Sequence, residues 1–327
     1  MKHGLLVLLA LTVLVGCEPT KPTSQTSDGM TLSESQRLNQ WLDGEFETYL
    51  DFSPMSKTRL GDKSDYDKLD DPSDAAADAR LAWRRVSVAS LKAEFDRDAL
   101  EPEAKRSYDL WVFMLDRAEA SLPYRRHEYV FGRNGPHTGL PNDLINYHKV
   151  DSASDMQAYI ARLKASAGYF DAYLNRAKLA AAAGIRAPYF DYDVAVSQIQ
   201  RVTRGAPFTD EGTSALWADI TAKVDALVLA ESITVVEAEA LKAEAKTAIL
   251  QSMEPAYDRI NAWLEADRDS VPDTATGAWA LPEGAAFYTY RLKQMTTLPL
   301  TAETIHQTGL DEVTRIQAEM NAIRKSV

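Results

Sequence analysis

The sequence predicts an all-α protein, an array of antiparallel helices. Two observations predict it. After residue 31, apolar residues recur at three- and four-residue spacing through almost every segment. No stretch sustains the period-two alternation of a half-buried strand, and no internal repeat of fixed period appears.

The elements follow in order. In TLSESQRLNQWLDGEFETYL, residues Leu38, Trp41, Leu42, Phe46, Tyr49 and Leu50 share a helical face, and Thr31 with Glu34 gives a capping-box signal. SPMSKTRLG predicts a short helix with Ser53 as N-cap, Pro54 in the first turn and Gly61 as stop. A polar connector, DKSDYDKLDDPSD, leads to a helix from about Ser73 to Phe95 with Leu81, Val88, Leu91 and Phe95 as its stripe. Another helix runs from about Pro102 to Leu122 and carries Tyr108, Trp111, Val112 and Leu115. Residues 123–150 break the rhythm with three Gly, three Pro and three of the five His, and predict a long irregular loop of the kind that carries function. Ser152 and Asp155 cap a helix bearing Met156, Tyr159, Ile160, Leu163, Phe170, Tyr173 and Leu174, which Gly184 ends. Asp191 is the predicted cap of the next helix, with Val194, Ile199 and Val202 inward. GAPFTDEGTS predicts a turn, and the chain to Arg268 is helical with a break or kink at Pro255.

The whole chain has 327 residues, 45% hydrophobic and 26% charged, which is ordinary for a folded domain. The net charge of −12 without a basic run disfavours a nucleic-acid partner. At the amino terminus an apolar run from Leu5 to Val15 leads into Gly16-Cys17. That run is too short to cross a hydrocarbon core of about 30 Å as a helix and suits a signal peptide. Leu14-Val15-Gly16-Cys17 resembles the bacterial lipobox, which implies cleavage before Cys17 and its acylation. An ordinary secreted protein is the alternative. Cys17 is the only cysteine, so no disulfide, thiolate zinc site or cysteine nucleophile remains. The expected organisation is a lipoprotein signal peptide over 1–16, lipidated Cys17 and a disordered Pro/Thr/Ser tether over 17–30, and a helical domain over 31–327. Glu18, where Asp commonly retains lipoproteins at the inner membrane, points to the outer membrane facing the periplasm.

Candidate chemistry is sparse. His127-Glu128 begins a zinc-protease pattern, but Phe131 stands where the second His is needed, and the loop reading is preferred. Glu303 and His306 have the spacing used in di-iron bundles, but no second pair exists, so His306 reads as a packed or hydrogen-bonded helix residue. Gly212-Thr213-Ser214 lacks the final glycine and the strand of a nucleophile elbow. Asp191/Asp193 and Asp70/Asp71 read as caps and turns. The aromatic clusters at 41–52 and 287–290 read as core before binding platform. No catalytic residue or metal ligand is assigned.

Residues 277–320 resemble a signature of the bacterial domain-of-unknown-function family 885. The matching residues are Leu281, Pro282, Gly284, Phe287, Tyr288, Tyr290, Arg291, Leu292, Thr296, Thr297, Leu300, Thr301, Glu303, Ile305, His306, Gly309 and Leu310. Weaker echoes occur upstream, in SPMSKTRLGDKSDYDKLDD and YIARLKASAGYFDAYLNRAKLAAAAGI. That family looks like a distant branch of the helical zinc metallopeptidases. The resemblance implies a mature protein roughly twice this length whose zinc helix lies downstream of the signature. Only NAIRKSV follows here, so the expected fold is one half of a larger helical metallopeptidase-like fold, inactive as given, with zinc only in a full-length relative. Tyr288, Tyr290, Arg291 and His306 are its candidate substrate-pocket residues. Thr304 replaces the acidic residue common in the family at the third position of the last helix, which leaves half a capping box. That helix would present Ile305, Leu310, Val313, Ile316, Met320 and Ile323 without partners. Two alternatives remain. One is a non-catalytic helical lipoprotein that binds a peptide or protein through the 123–150 loop or the aromatic segment. The other is a complementing half, with a separate zinc-bearing polypeptide docked on the last helix.

Overall fold

The computed structural model describes residues 32–326, so the predicted signal peptide, Cys17 and the tether lie outside the described residues. Among the described residues there are twelve α-helices: α1 (Glu34–Leu50), α2 (Pro54–Leu60), α3 (Asp74–Glu94), α4 (Pro102–Ser121), α5 (Pro136–Tyr147), α6 (Ala153–Ala182), α7 (Tyr189–Val202), α8 (Ala215–Leu229), α9 (Val235–Ala248), α10 (Glu254–Arg268), α11 (Gly284–Thr296) and α12 (Ala302–Ser326). The chain is all-α, as its periodicity predicts.

The helix starts follow local chemistry. The hydroxyls of Ser53 and Ser152 accept from the third backbone N–H of α2 and α6, as predicted, and that of Ser73 does the same for α3. Gly61 closes α2 at φ 88°, a conformation that favours glycine. Two predicted caps are corrected. The capping box of α1 is Ser33 with Gln36, and Glu34 is already the first helical residue. Asp191 lies inside the first turn of α7, whose cap is Pro188. Asp70 reaches back to α2, accepting from the Ser53 hydroxyl and the Met55 N–H, both at 2.9 Å.

The predicted long loop is half helix. Residues 136–147 form α5, although Pro141 sits inside it. Pro141 has no N–H to offer the carbonyl of His137 one turn earlier. The buried Tyr257 hydroxyl donates to that carbonyl at 2.7 Å, so a partner 120 residues away repairs the defect. The predicted break at Pro255 is a π turn over Ile249–Met253 that joins α9 to α10, with Pro255 in the first turn of α10.

The apolar interior forms two clusters. The larger takes Met55 from α2 and the inward faces of α5 to α10, including Leu144, Ile160, Leu163, Phe170, Ile220 and Ile260. The smaller joins α1, α3 and α4 through Leu38, Leu91, Phe95, Leu100 and Tyr108, edged by Trp41 and Trp111.

A buried polar tie fastens the 61–70 connector to α6. Arg162 is fully buried. Its guanidinium donates to the Thr58 hydroxyl at 2.6 Å, the Lys68 carbonyl at 2.8 Å, the Asp65 carbonyl at 3.3 Å and His148 Nδ1 at 2.9 Å. His148 Nε2 donates to the Asp155 carbonyl at 3.0 Å, so the ring is the neutral Nε2–H tautomer. Burial, reinforced by the charges of Arg162 and Lys223, pulls the His148 pKa down to about 3.

The last helix stands apart. α12 has no buried residue, and Leu310, Val313, Ile316, Met320 and Ile323 are between 44% and 64% exposed along one face. The Thr301 hydroxyl accepts from Thr304 N–H at 3.1 Å, the half capping box read from the sequence.

Candidate functional site

An open cleft of about 900 Å³ lies between α3, the segment after α4, α6 and α11. α3 contributes Arg80 and Arg84, the segment after α4 contributes Tyr124, Arg125 and His127 to Tyr129, α6 contributes Arg176, and α11 closes the far wall with Phe287, Tyr288, Tyr290 and Arg291.

An aromatic stack holds α11 in place. Tyr290 stacks on Tyr124 with ring centroids 4.7 Å apart, and Phe287 lies 5.6 Å from Tyr124 and 4.6 Å from His127. His127 Nε2 donates to the Pro282 carbonyl at 2.8 Å, and Arg117 reaches Gln294 at 2.6 Å. Gly284 lets the chain turn tightly into α11: a Cβ there would sit 2.0 Å from the Ala278 carbonyl oxygen.

The charge of the cleft is unbalanced. Arg80, Arg84, Arg125, Arg176 and Arg291 line it against one carboxylate, Glu128. Glu128 pairs with Arg176, and Arg125 with Asp78 just outside. Arg80, Arg84 and Arg291 have no ion-pair partner among the described residues. Arg84 is only 7% exposed, and its Nη1 is buried without a hydrogen-bond partner. Burial lowers its pKa from the ordinary arginine value, and neighbouring Arg80 adds to that. The rings of Tyr49, Trp83 and Trp111 lie 5.5 to 5.7 Å from the guanidinium carbon and hold it in place.

Of the sequence-predicted pocket residues, Tyr288, Tyr290 and Arg291 come together on this wall. His306 does not join them. It is exposed on α12, a helix with no buried residue, and is not packed as expected. The cluster at 41–52 is core at its Trp41 and Leu42 end, as read. The one at 287–290 is instead the side of an open cleft, with Tyr288 48% exposed. The two regions proposed for binding, the loop after residue 123 and the aromatic segment, form one site. Sequence reasoning missed Arg80 and Arg84. Their signal was the four-residue spacing of two arginines on the otherwise inward face that carries Leu81 and Val88.

The described residues do not fit a zinc centre. No group of three or more His, Cys, Asp or Glu side chains among them is placed to hold a metal. His127 is engaged by a carbonyl and Glu128 by Arg176, so the pair that opens the zinc-protease pattern offers no shared coordination point.

These features define a helical protein with an aromatic, arginine-lined cleft. The family described as bacterial protein of unknown function (DUF885) matches residues 54–327, and the chain belongs to it. No curated protein matches the chain. Its fold is similar to the crystal structure of the putative lipoprotein from Colwellia psychrerythraea, at 19% identity and a TM-score of 0.73, covering 89% of this chain and 51% of that one. It is also similar to a putative lipoprotein of unknown function from Shewanella oneidensis, at 17% identity and a TM-score of 0.59, covering 89% of this chain and 47% of that one. The chain thus spans about half the length of these solved structures. No helix among the described residues is long and apolar enough to cross a membrane.

Proposed function

We propose that this chain is the ligand-recognition portion of an envelope lipoprotein, anchored through Cys17 at the outer membrane and facing the periplasm, and that its cleft binds a peptide. The observation that carries the reading is the cleft itself, where stacked aromatic rings face uncompensated guanidinium groups. Rings offer apolar surface to peptide side chains, and guanidinium groups offer donors to peptide carbonyls and carboxylates. The resemblance to helical zinc metallopeptidases adds to it. On that reading the protein is metallopeptidase-like, and the residues described here bind and orient the peptide. Zinc would supply electrophilic activation in a full-length relative through ligands outside the described residues.

The test is fluorescence anisotropy of the chain with a labelled library of N-acetylated tetrapeptides. Saturable binding that weakens about tenfold in Tyr290→Ala is expected, the scale on which removing a stacked ring and its apolar area acts. Absence of saturable binding by any member removes the reading.

A second reading has its own observation, the bare apolar stripe of α12. Monomeric proteins seldom expose a contiguous stripe of this kind. We assign it to the remaining part of the family fold, in the same polypeptide or a complementing one, because the solved relatives are about twice as long. Ile316→Glu with Met320→Glu is expected to abolish binding of a hydrophobic dye and to change unfolding free energy by less than about 0.5 kcal/mol, as for surface positions. A larger loss of stability would show that the stripe is already packed in this chain.

A further inference from the structure

We infer that the cleft contains an oxyanion subsite centred on Arg84, with Arg80 and Arg291 as its other cationic walls, which takes the carboxylate or phosphate group of a bound ligand. The inference rests on the peptide reading where the oxyanion is a peptide's terminal carboxylate, and stands without it where the oxyanion is free.

Three observations converge. The first is the burial of a charge without its counterion. A guanidinium nine-tenths removed from water costs several kcal/mol unless paired. Arg162, the other deeply buried arginine, shows how the fold satisfies such a group: two carbonyls, a hydroxyl and an imidazole surround it. Arg84 has none of these, and its Nη1 is an orphan donor. The second is repulsion. Arg80 and Arg84 are four residues apart on α3, a spacing at which like charges destabilise a helix. Both line the cleft, and no carboxylate in it is free to separate them. The third is preorganisation. The rings of Tyr49, Trp83 and Trp111 fix the Arg84 guanidinium, so little side-chain freedom is lost when an anion arrives. The aromatic wall of α11 then covers the rest of the ligand, with Arg291 beside it. A planar guanidinium presents paired donors to a carboxylate or phosphate, so the geometry selects an oxyanion over a neutral amide.

The experiment uses the intrinsic fluorescence of Trp83 and Trp111, which flank the guanidinium. The full chain is titrated with three probes: the N-acetyl tetrapeptide library as free acids, the same library as amides, and inorganic phosphate. An acid that binds is expected to do so at least about tenfold more tightly than its amide, the scale of one charge-assisted hydrogen bond. Arg84→Gln is expected to erase that preference. Arg80→Gln, an exposed position that leaves the core untouched, is expected to reduce it severalfold, which keeps the test open if the Arg84 variant does not fold. Equal affinity for acid and amide, with phosphate silent, overturns the subsite and leaves peptide binding standing. Phosphate binding that Arg84→Gln abolishes, with both libraries inert, supports the subsite and removes the peptide reading. Silence of all three probes overturns both.

Discussion

Arg162→Ala is expected to cost about 4 kcal/mol of unfolding free energy, the range for breaking a buried charged network. The substitution removes one cation and takes a donor from four groups: the Thr58 hydroxyl and the Asp65 carbonyl keep the Pro54 carbonyl and the Lys68 N–H as partners, whereas the Lys68 carbonyl and His148 Nδ1 are left unpaired. Each buried group left unpaired carries its own desolvation penalty. Arg162→Lys keeps the charge but not the fork, and is expected to recover less than half the loss. Urea unfolding followed by circular dichroism measures both, and a loss below about 1 kcal/mol for Arg162→Ala would mean water replaces the guanidinium. The same tie sets an acid dependence. His148 has a folded pKa depressed to about 3 from an ordinary 6.5, so its contribution is fully present above about pH 6.5 and is lost as pH falls towards 3. Between pH 6.5 and pH 5, the wild type is expected to lose about 2 kcal/mol more than His148→Gln, which has no proton to gain. Equal acid slopes in the two proteins would contradict a buried neutral ring.

Gly284→Ala is expected to disable the cleft while leaving the body folded. The new Cβ meets the Ala278 carbonyl oxygen at 2.0 Å and the Ala278 and Trp279 carbonyl carbons at 3.0 and 3.1 Å. All three are backbone atoms, so α11 must move. That helix carries Phe287, Tyr288, Tyr290 and Arg291, and the aromatic stack is its main hold on the rest of the chain. Peptide affinity is expected to fall at least about tenfold, a loss of roughly 1.4 kcal/mol in binding. Global unfolding is expected to shift by less than about 1 kcal/mol, because α11 adds only Gly284 to the buried set. Unchanged affinity in Gly284→Ala would mean that the position of α11 does not matter to the ligand.

What the sequence by itself determined was local. Helix class, most boundaries and the serine caps follow from spacing and from hydroxyls that reach an N–H three residues on, and neither needs a distant partner. The signature around Leu281 to Arg291 identified the family and three residues of the cleft wall, because a motif is carried by consecutive residues. The bare face of α12 was also legible, since its stripe is a property of one helix. Tertiary structure alone decided the rest. α5 exists despite Pro141 because Tyr257 supplies the missing donor from 120 residues away. The polar connector after Gly61 is tied down because Arg162 reaches its carbonyls from α6. In the sequence Arg80 and Arg84 show only their four-residue spacing on the face of Leu81 and Val88, which does not say what surrounds them. Only the packing of α1 and α4 against α3 encloses Arg84 among three rings, and only the return of α11 some two hundred residues later turns that face into a cleft. A charge becomes a binding site when its counterion is excluded, and exclusion depends on what surrounds a residue in space.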